Sequence, residues 1–176
     1  WRSTNVKHAV RDSIVWEKIS DELGGLNTNT MRVVHRHRSN ENVVFAAKSN
    51  RKLFRCDNAL DDADSIVWVD LSSDLPLSSN PVLSIETVLG EDSTVYISFA
   101  KKVWKSSDLG VNWEELEGEL SGLPINSIVY DTTGTDGLYA GSDMGVFHWN
   151  VADSVWTNFS QGLPASVRVT ELELYA

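Results

Sequence analysis

Tryptophan sets the period of this chain. Trp16, Trp68, Trp113 and Trp156 are spaced by 52, 45 and 43 residues. Each opens a similar segment: Trp16-Glu-Lys-Ile-Ser, Trp68-Val-Asp-Leu-Ser, Trp113-Glu-Glu-Leu-Glu and Trp156-Thr-Asn-Phe-Ser. A Gly-Leu or Leu-Pro turn follows at Gly25-Leu26, Leu75-Pro76, Gly122-Leu123-Pro124 and Gly162-Leu163-Pro164. A second landmark precedes each tryptophan, at Trp1-Arg2-Ser3, Phe54-Arg55-Cys56, Trp104-Lys105-Ser106 and Phe147-His148-Trp149. Before three of these lies a β-rich run: Val43 to Ala47, Val95 to Phe99 and Leu138 to Gly141. Landmarks recurring in one order at this spacing mark a repeat architecture, in which no unit can bury its apolar face alone.

The units read as strands. Apolar residues alternate or cluster in short runs bounded by Gly, Asn, Asp, Ser and Pro, as in Val82-Leu83-Ser84-Ile85 and Ser127-Ile128-Val129-Tyr130. β-Branched and aromatic residues fill them, which suits a pleated, half-buried surface. The helix-like pattern from Asp12 to Leu23 contains the repeat's own Trp16, so it is read as strand and turn. Four short strands in a unit of this length match one propeller blade. The expected fold is all-β: one segment over residues 1–176, a β-propeller piece of about 3.5–4 four-stranded blades. The chain opens on a third strand and closes after a first strand at Val167 to Tyr175, so it is expected to be part of a larger propeller. Its partners would then be the remaining blades or another copy, because an arc exposes strand edges.

Charge narrows the partners. The net charge is −10, from 25 acidic and 15 basic residues, a field that repels a phosphate backbone, so nucleic acid is not expected. The basic stretch Arg32 to Arg38 is short, and Asp61, Asp62 and Asp64 offset it. No run approaches the roughly 20 apolar residues of a membrane-spanning helix. Cys56 is the one cysteine, so it forms no internal disulfide and is read as an inert thiol on a strand.

One segment carries a specific motif. Ser106-Ser107-Asp108-Leu109-Gly110-Val111-Asn112-Trp113 reads Ser-x-Asp-x-Gly-x-x-Trp. Asp108 can bond backbone amides across a tight turn, Gly110 permits positive φ, Ser106 can bond back to the loop and Trp113 can anchor it. This resembles the Asp-box, or BNR repeat, of sialidase-like propellers. The other copies are degenerate: Ser3-Thr4-Asn5 and Arg55-Cys56-Asp57 carry insertions before their tryptophans, and Asn150 to Trp156 has lost the pattern. The tail from Gly162 to Tyr175 resembles the closing blade of exported Bacteroidetes surface proteins of the type IX secretion kind. These resemblances imply a secreted or cell-surface protein that binds carbohydrate or protein, without cofactor. The alternatives they carry are part of a sialidase-like or xyloglucanase-like polysaccharide-degrading enzyme, or a sortilin-type sorting-receptor propeller.

No catalytic set stands out. A sialidase of this kind would need an arginine triad, and the Arg-Ile-Pro signature is missing. Any pair of carboxylates could be proposed for glycoside hydrolysis and none is singled out. Asp61, Asp62 and Asp64 offer oxygens to calcium but lack the spacing of an EF-hand. His35 and His37 share one strand face without a third ligand, so no metal is expected. Phe147 and Trp149 are alternate aromatics on one strand and are the candidate sugar or partner surface. Ser106, Asp108, Gly110 and Trp113 are expected to serve the turn.

Overall fold

In the computed structural model, residues 1–3, 5–6, 13–20, 23, 30–76, 80–118, 120, 122–133 and 137–174 are described. The repeats appear as three four-stranded antiparallel sheets, each built from strands consecutive in sequence. Sheet one holds β1 (Met31–Arg36), β2 (Val44–Lys48), β3 (Leu53–Cys56) and β4 (Trp68–Asp70). Sheet two holds β5 (Val82–Thr87), β6 (Val95–Phe99), β7 (Lys102–Ser106) and β8 (Glu114–Glu115). Sheet three holds β9 (Ile125–Asp131), β10 (Gly137–Ser142), β11 (Gly145–Asn150) and β12 (Val155–Asn158). The first strands lie side by side, β1 against β5 and β5 against β9.

Strand β6 shows why the sheets must stack. All five of its residues are buried, so both of its faces need cover. Val95, Ile97 and Phe99 point one way, into a cluster with Val43, Phe45, Leu53 and Leu71 of sheet one. Tyr96 points the other way, with Leu138, Phe147, Trp149 and Trp156 of sheet three. Period-2 alternation thus supplies two cores, one per sheet boundary. Burying a side chain such as Phe45 or Ile97, both at 0% exposure, contributes roughly 1.5–3 kcal/mol.

A serine on each of β5 and β9 also takes an amide from the segment of chain packed beside it. The Ile128 amide donates to Ser84 Oγ at 3.2 Å, and the Leu172 amide donates to Ser127 Oγ at 3.1 Å. Ser84 pairs with Ser98 on β6 and Ser127 with Gly141 on β10, so the two serines hold the same register position.

One expectation changes at the C-terminal end. The tail expected as a first strand over 167–175 forms no strand across 167–174; Tyr175 lies outside the described residues. Its Val169 amide bonds the Ser142 carbonyl at 2.8 Å and its Leu172 amide bonds a serine side chain, so its bonds go to sheet three's end and surface rather than to a ladder. Near the start, only the bridge between Arg2 and Glu17 is ordered as β-structure among the described residues. Among the described residues the complete sheets number three, the whole blades of the expected 3.5–4-blade segment. Among the described residues no helix is long and apolar enough to cross a membrane, a statement about helices and not about strands.

Candidate functional site

The motif residues form a closed hydrogen-bonded turn between β7 and β8. Ser106 is 1% exposed and its hydroxyl donates to Asp108 Oδ1 at 2.7 Å. Ser106 Oγ in turn accepts the amides of Asp108 at 3.2 Å and Gly110 at 2.8 Å. Asp108 Oδ1 accepts the amides of Val111 at 3.1 Å and Asn112 at 2.8 Å, while Oδ2 accepts Asn112 Nδ2 at 2.7 Å. The Asn112 donors, backbone first, favour the ionised carboxyl and pull its pKa from the usual 3.8 to about 2. Gly110 sits at φ +91°, and a Cβ there would lie 3.0 Å from Leu71 Cδ1 and 3.2 Å from the Trp113 ring. The turn is docked onto sheet one by Arg55, whose Nη1 donates to the Leu109 carbonyl at 2.7 Å. Its donors and acceptors are spent on the chain itself, which makes it a clip rather than a reactive site.

Two more copies of the clip exist where the sequence looked degenerate. Asn5 Oδ1 accepts the Ser3 hydroxyl at 2.9 Å and the Val15 amide at 3.2 Å. Asn58 Oδ1 accepts the Cys56 thiol at 3.5 Å and the Val67 amide at 3.0 Å. Val15, Val67 and Asn112 each immediately precede a repeat tryptophan. The recurring rule is therefore an Asn or Asp, two residues after Ser or Cys, that caps the amide just before the tryptophan. That spacing, with Asn allowed for Asp, is the signal that would have found Asn5 and Asn58. Cys56 itself is buried on β3, and burial raises its thiol pKa, in keeping with an unreactive side chain.

The repeat tryptophans stitch neighbouring units. Trp68 Nε1 donates to the Ile19 carbonyl at 3.0 Å, and Trp156 Nε1 donates to the Leu116 carbonyl at 3.2 Å. Trp113 makes no such bond: its buried Nε1 has no partner among the described residues. Trp16 is 58% exposed.

At the C-terminal ends of the first strands, polar groups link all three sheets. Arg38 Nε lies 2.9 Å from Glu86 Oε1, and Arg38 Nη1 donates to the Tyr130 carbonyl at 3.3 Å. The Arg38–Glu86 contact is ionic, without a well-aligned N–H on Oε1. Burial therefore prevails over the guanidinium and lifts the Glu86 pKa from 4.5 to about 7. His35 Nε2 sits 2.9 Å from Thr87 Oγ1, and burial, with Arg38 and His37 adding to it, depresses its pKa to about 4. His37 is 0% exposed, and its Nδ1 accepts the amides of Ser39 and Asn40 at 3.1 and 3.2 Å. The two histidines expected on one face thus have separate partners.

The other sequence candidates are placed as follows. Phe147 and Trp149 do share a strand face, but that face is the core, where they are 9% and 7% exposed and Trp149 packs on Trp156 at 5.3 Å. The expected surface role is corrected by this burial: alternate positions on β11 face sheet two, not solvent. Asp61, Asp62 and Asp64 lie in the exposed loop around the 3-10 turn Ala63–Ser65, which Asn58 closes by bonding the Ser65 carbonyl. No group of three potential metal-ligating side chains occurs among the described residues.

Open space gathers at the boundary of sheets one and two. A cleft of about 380 Å³ lies between the 50–52 turn and the 72–76 loop. A second, of about 560 Å³, is lined by Trp104, Trp113, Asp74 and Lys102. Pro76 borders both. The rings of Phe99 and Trp104 stack at 6.0 Å with 1° between their planes, and Phe99 lines the first cleft while Trp104 lines the second.

No family model matches the chain, and no curated protein matches it. Solved structures do. A GH74 xyloglucanase from Xanthomonas campestris superposes with a TM-score of 0.58 at 14% identity, over 77% of this chain and 23% of that one. An ancestral GH74 enzyme gives 0.56 at 15%, over 73% and 18%. A GH74 enzyme from Niastella koreensis gives 0.53 at 15%, over 74% and 22%. The chain spans 18–23% of the length of these structures. They are β-propeller proteins, and the likeness is one of fold: stacked four-stranded antiparallel blades.

Proposed function

We propose that this chain is a non-catalytic binding or scaffolding segment of a larger exported or cell-surface β-propeller protein. The observation that carries the reading is where the polar side chains are spent. Asn5, Asn58 and Asp108 cap turns, Ser84 pegs β9 to β5, Ser127 holds the tail, and Arg38 pairs with Glu86 across a sheet boundary. Ser106, Asp108, Gly110 and Trp113 act here as an Asp-box-type clip. Such a frame holds loops rigidly and leaves them to supply recognition of a glycan or protein. The remaining blades of the parent protein, or another copy, would cover its exposed edges.

The second reading is a portion of a secreted polysaccharide-degrading propeller enzyme. It rests on the xyloglucanase named among the fold neighbours. A glycan array combined with hydrolysis assays on xyloglucan and sialosides separates the two. Binding without turnover is the expected result; hydrolysis at enzyme-like rates would sink the binding-only reading.

A further inference from the structure

We propose that the face of sheet three turned away from sheet two docks a second copy of this chain, head to tail, with Trp16 of that copy seated on Phe159. The pairing rests on the scaffolding reading above and names its partner.

The tryptophan bonds say what covers that face. Each bonded indole donates to the carbonyl three positions after the preceding repeat tryptophan: Trp68 to Ile19, counted from Trp16, and Trp156 to Leu116, counted from Trp113. The next place in that series is Phe159, three positions after Trp156. Leu116 and Phe159 are held alike, the first by its amide on the Val103 carbonyl at 3.0 Å and the second by its amide on the Val146 carbonyl at 2.8 Å. Their cover differs: sheet three closes over Leu116, which is 8% exposed, whereas Phe159 is 57% exposed. Tyr139 meets the Phe159 ring edge-on at 5.1 Å, so the open place is an aromatic one.

The same chain carries the other half of the contact. Of the four repeat tryptophans, Trp16 is the exposed one, and Val15 beside it is exposed as well. Arg2 bridges Glu17 as Arg55 pairs with Val69 and Lys105 with Glu114, so these residues stand as the third and fourth strands of a unit. A repeat tryptophan faces the unit before it, as Trp156 faces sheet two. Trp16 therefore presents the donor side of a unit boundary and Phe159 the acceptor side. Two different surfaces that fit each other make a heterologous contact, which joins copies in series or closes them into a ring.

The tail prepares the seat. Its Val169 amide bonds the Ser142 carbonyl at 2.8 Å, and its Leu172 amide bonds Ser127 Oγ at 3.1 Å. Strand β9 enters beside sheet two by the same two bonds, Ile125 on the Ala100 carbonyl at 3.2 Å and Ile128 on Ser84 Oγ at 3.2 Å. Residues 169–172 thus stand where the first strand of a following unit stands, and the second copy brings third- and fourth-strand surfaces to the same unit.

Sedimentation velocity of the full chain over a range of concentrations tests this, for the parent, for Trp16→Asp, for Phe159→Asp and for an equimolar mixture of the two variants. The parent is expected to associate as concentration rises. Each variant alone is expected to associate at least about tenfold more weakly, because a carboxylate replaces an aromatic anchor. The mixture is expected to recover pairs, since each variant keeps the half that the other has lost. A parent that stays monomeric overturns the proposal, as do variants that associate like the parent or a mixture no stronger than its components. Should either variant lose its cooperative melt, hydrogen exchange of the parent decides: association is expected to protect residues 13–18 and 157–172, and protection elsewhere with none there overturns the proposal. A chain that binds glycan or protein while staying monomeric leaves the binding-module reading standing and removes the pairing alone.

Discussion

The indole of Trp156 and the carbonyl of Leu116 meet across a sheet boundary at 3.2 Å, forty residues apart in the chain. Trp68 and Ile19 repeat the bond two units earlier in the chain, at 3.0 Å. The tryptophan period is therefore also a hydrogen-bond period, and its interruption at Trp113 is open to measurement.

Trp156→Phe removes an indole donor that is bonded, and Trp113→Phe one that is not. A net hydrogen bond and the unpaired carbonyl left behind amount to about 1–2 kcal/mol. Urea unfolding should find Trp156→Phe the more destabilising by about that margin. Equal losses would mean that ring packing alone sets the effect.

Asp108→Ala deletes the acceptor of four donors and should lower stability by about 1–2 kcal/mol. Asp108→Asn should lose much less, since asparagine already fills the equivalent place at Asn5 and Asn58. The folded carboxyl titrates at about 2 instead of 3.8, so its contribution is present above 3.8 and is lost as pH falls toward 2. Acid titration of the unfolding midpoint should show that loss in the parent and not in Asp108→Asn.

Gly110→Ala and Gly90→Ala share a backbone handicap, at φ +91° and +92°. A Cβ at Gly90 meets nothing within 4 Å, whereas one at Gly110 crowds Leu71 at 3.0 Å. Both should cost about 1 kcal/mol in conformation. Gly110→Ala should add about 1–2 kcal/mol of overpacking, read as a lower melting temperature.

Glu86 and His35 oppose each other with pH. The Glu86 pKa is raised to about 7, so its contribution is full below 4.5 and is lost as pH rises through 7. The His35 pKa is lowered to about 4, so its contribution is full above 6.5 and is lost as pH falls toward 4. Between those limits the two nearly cancel. Relative to the parent, Glu86→Gln should lose on the order of 1 kcal/mol between pH 7.5 and 5, and His35→Gln should gain a similar amount. Parallel curves for all three proteins would refute the assignment. Arg38, His37 and Asp92 also act on this cluster and are unchanged in both variants.

Much of the frame was legible from residue order. The run Val95 to Phe99 is β6 to the residue, and Trp68 opens β4. Strand alternation and the tryptophan period are local patterns, so they survive reading one residue at a time. What escaped depends on partners far along the chain. Phe147 and Trp149 were rightly set on one face, but which face meets the core is decided by sheet two, not by β11 itself. Ser84 and Ser127 look like ordinary strand serines until β9 brings the Ile128 amide to one and the C-terminal tail the Leu172 amide to the other. Asn58 hid because Val67 lies nine positions on, and a motif read at fixed length cannot see a clip whose loop has grown.

That last point gives the clips a further meaning. The capped amide lies four positions after Asp108, nine after Asn58 and ten after Asn5, yet the same amide ahead of the tryptophan is reached each time. The clip uncouples the length of a loop from the position of the strand that follows. These are the points where the architecture can accept new sequence without re-registering its sheets. Foreign peptides spliced between Asn58 and Val67 would be displayed from a mount the repeat already supplies.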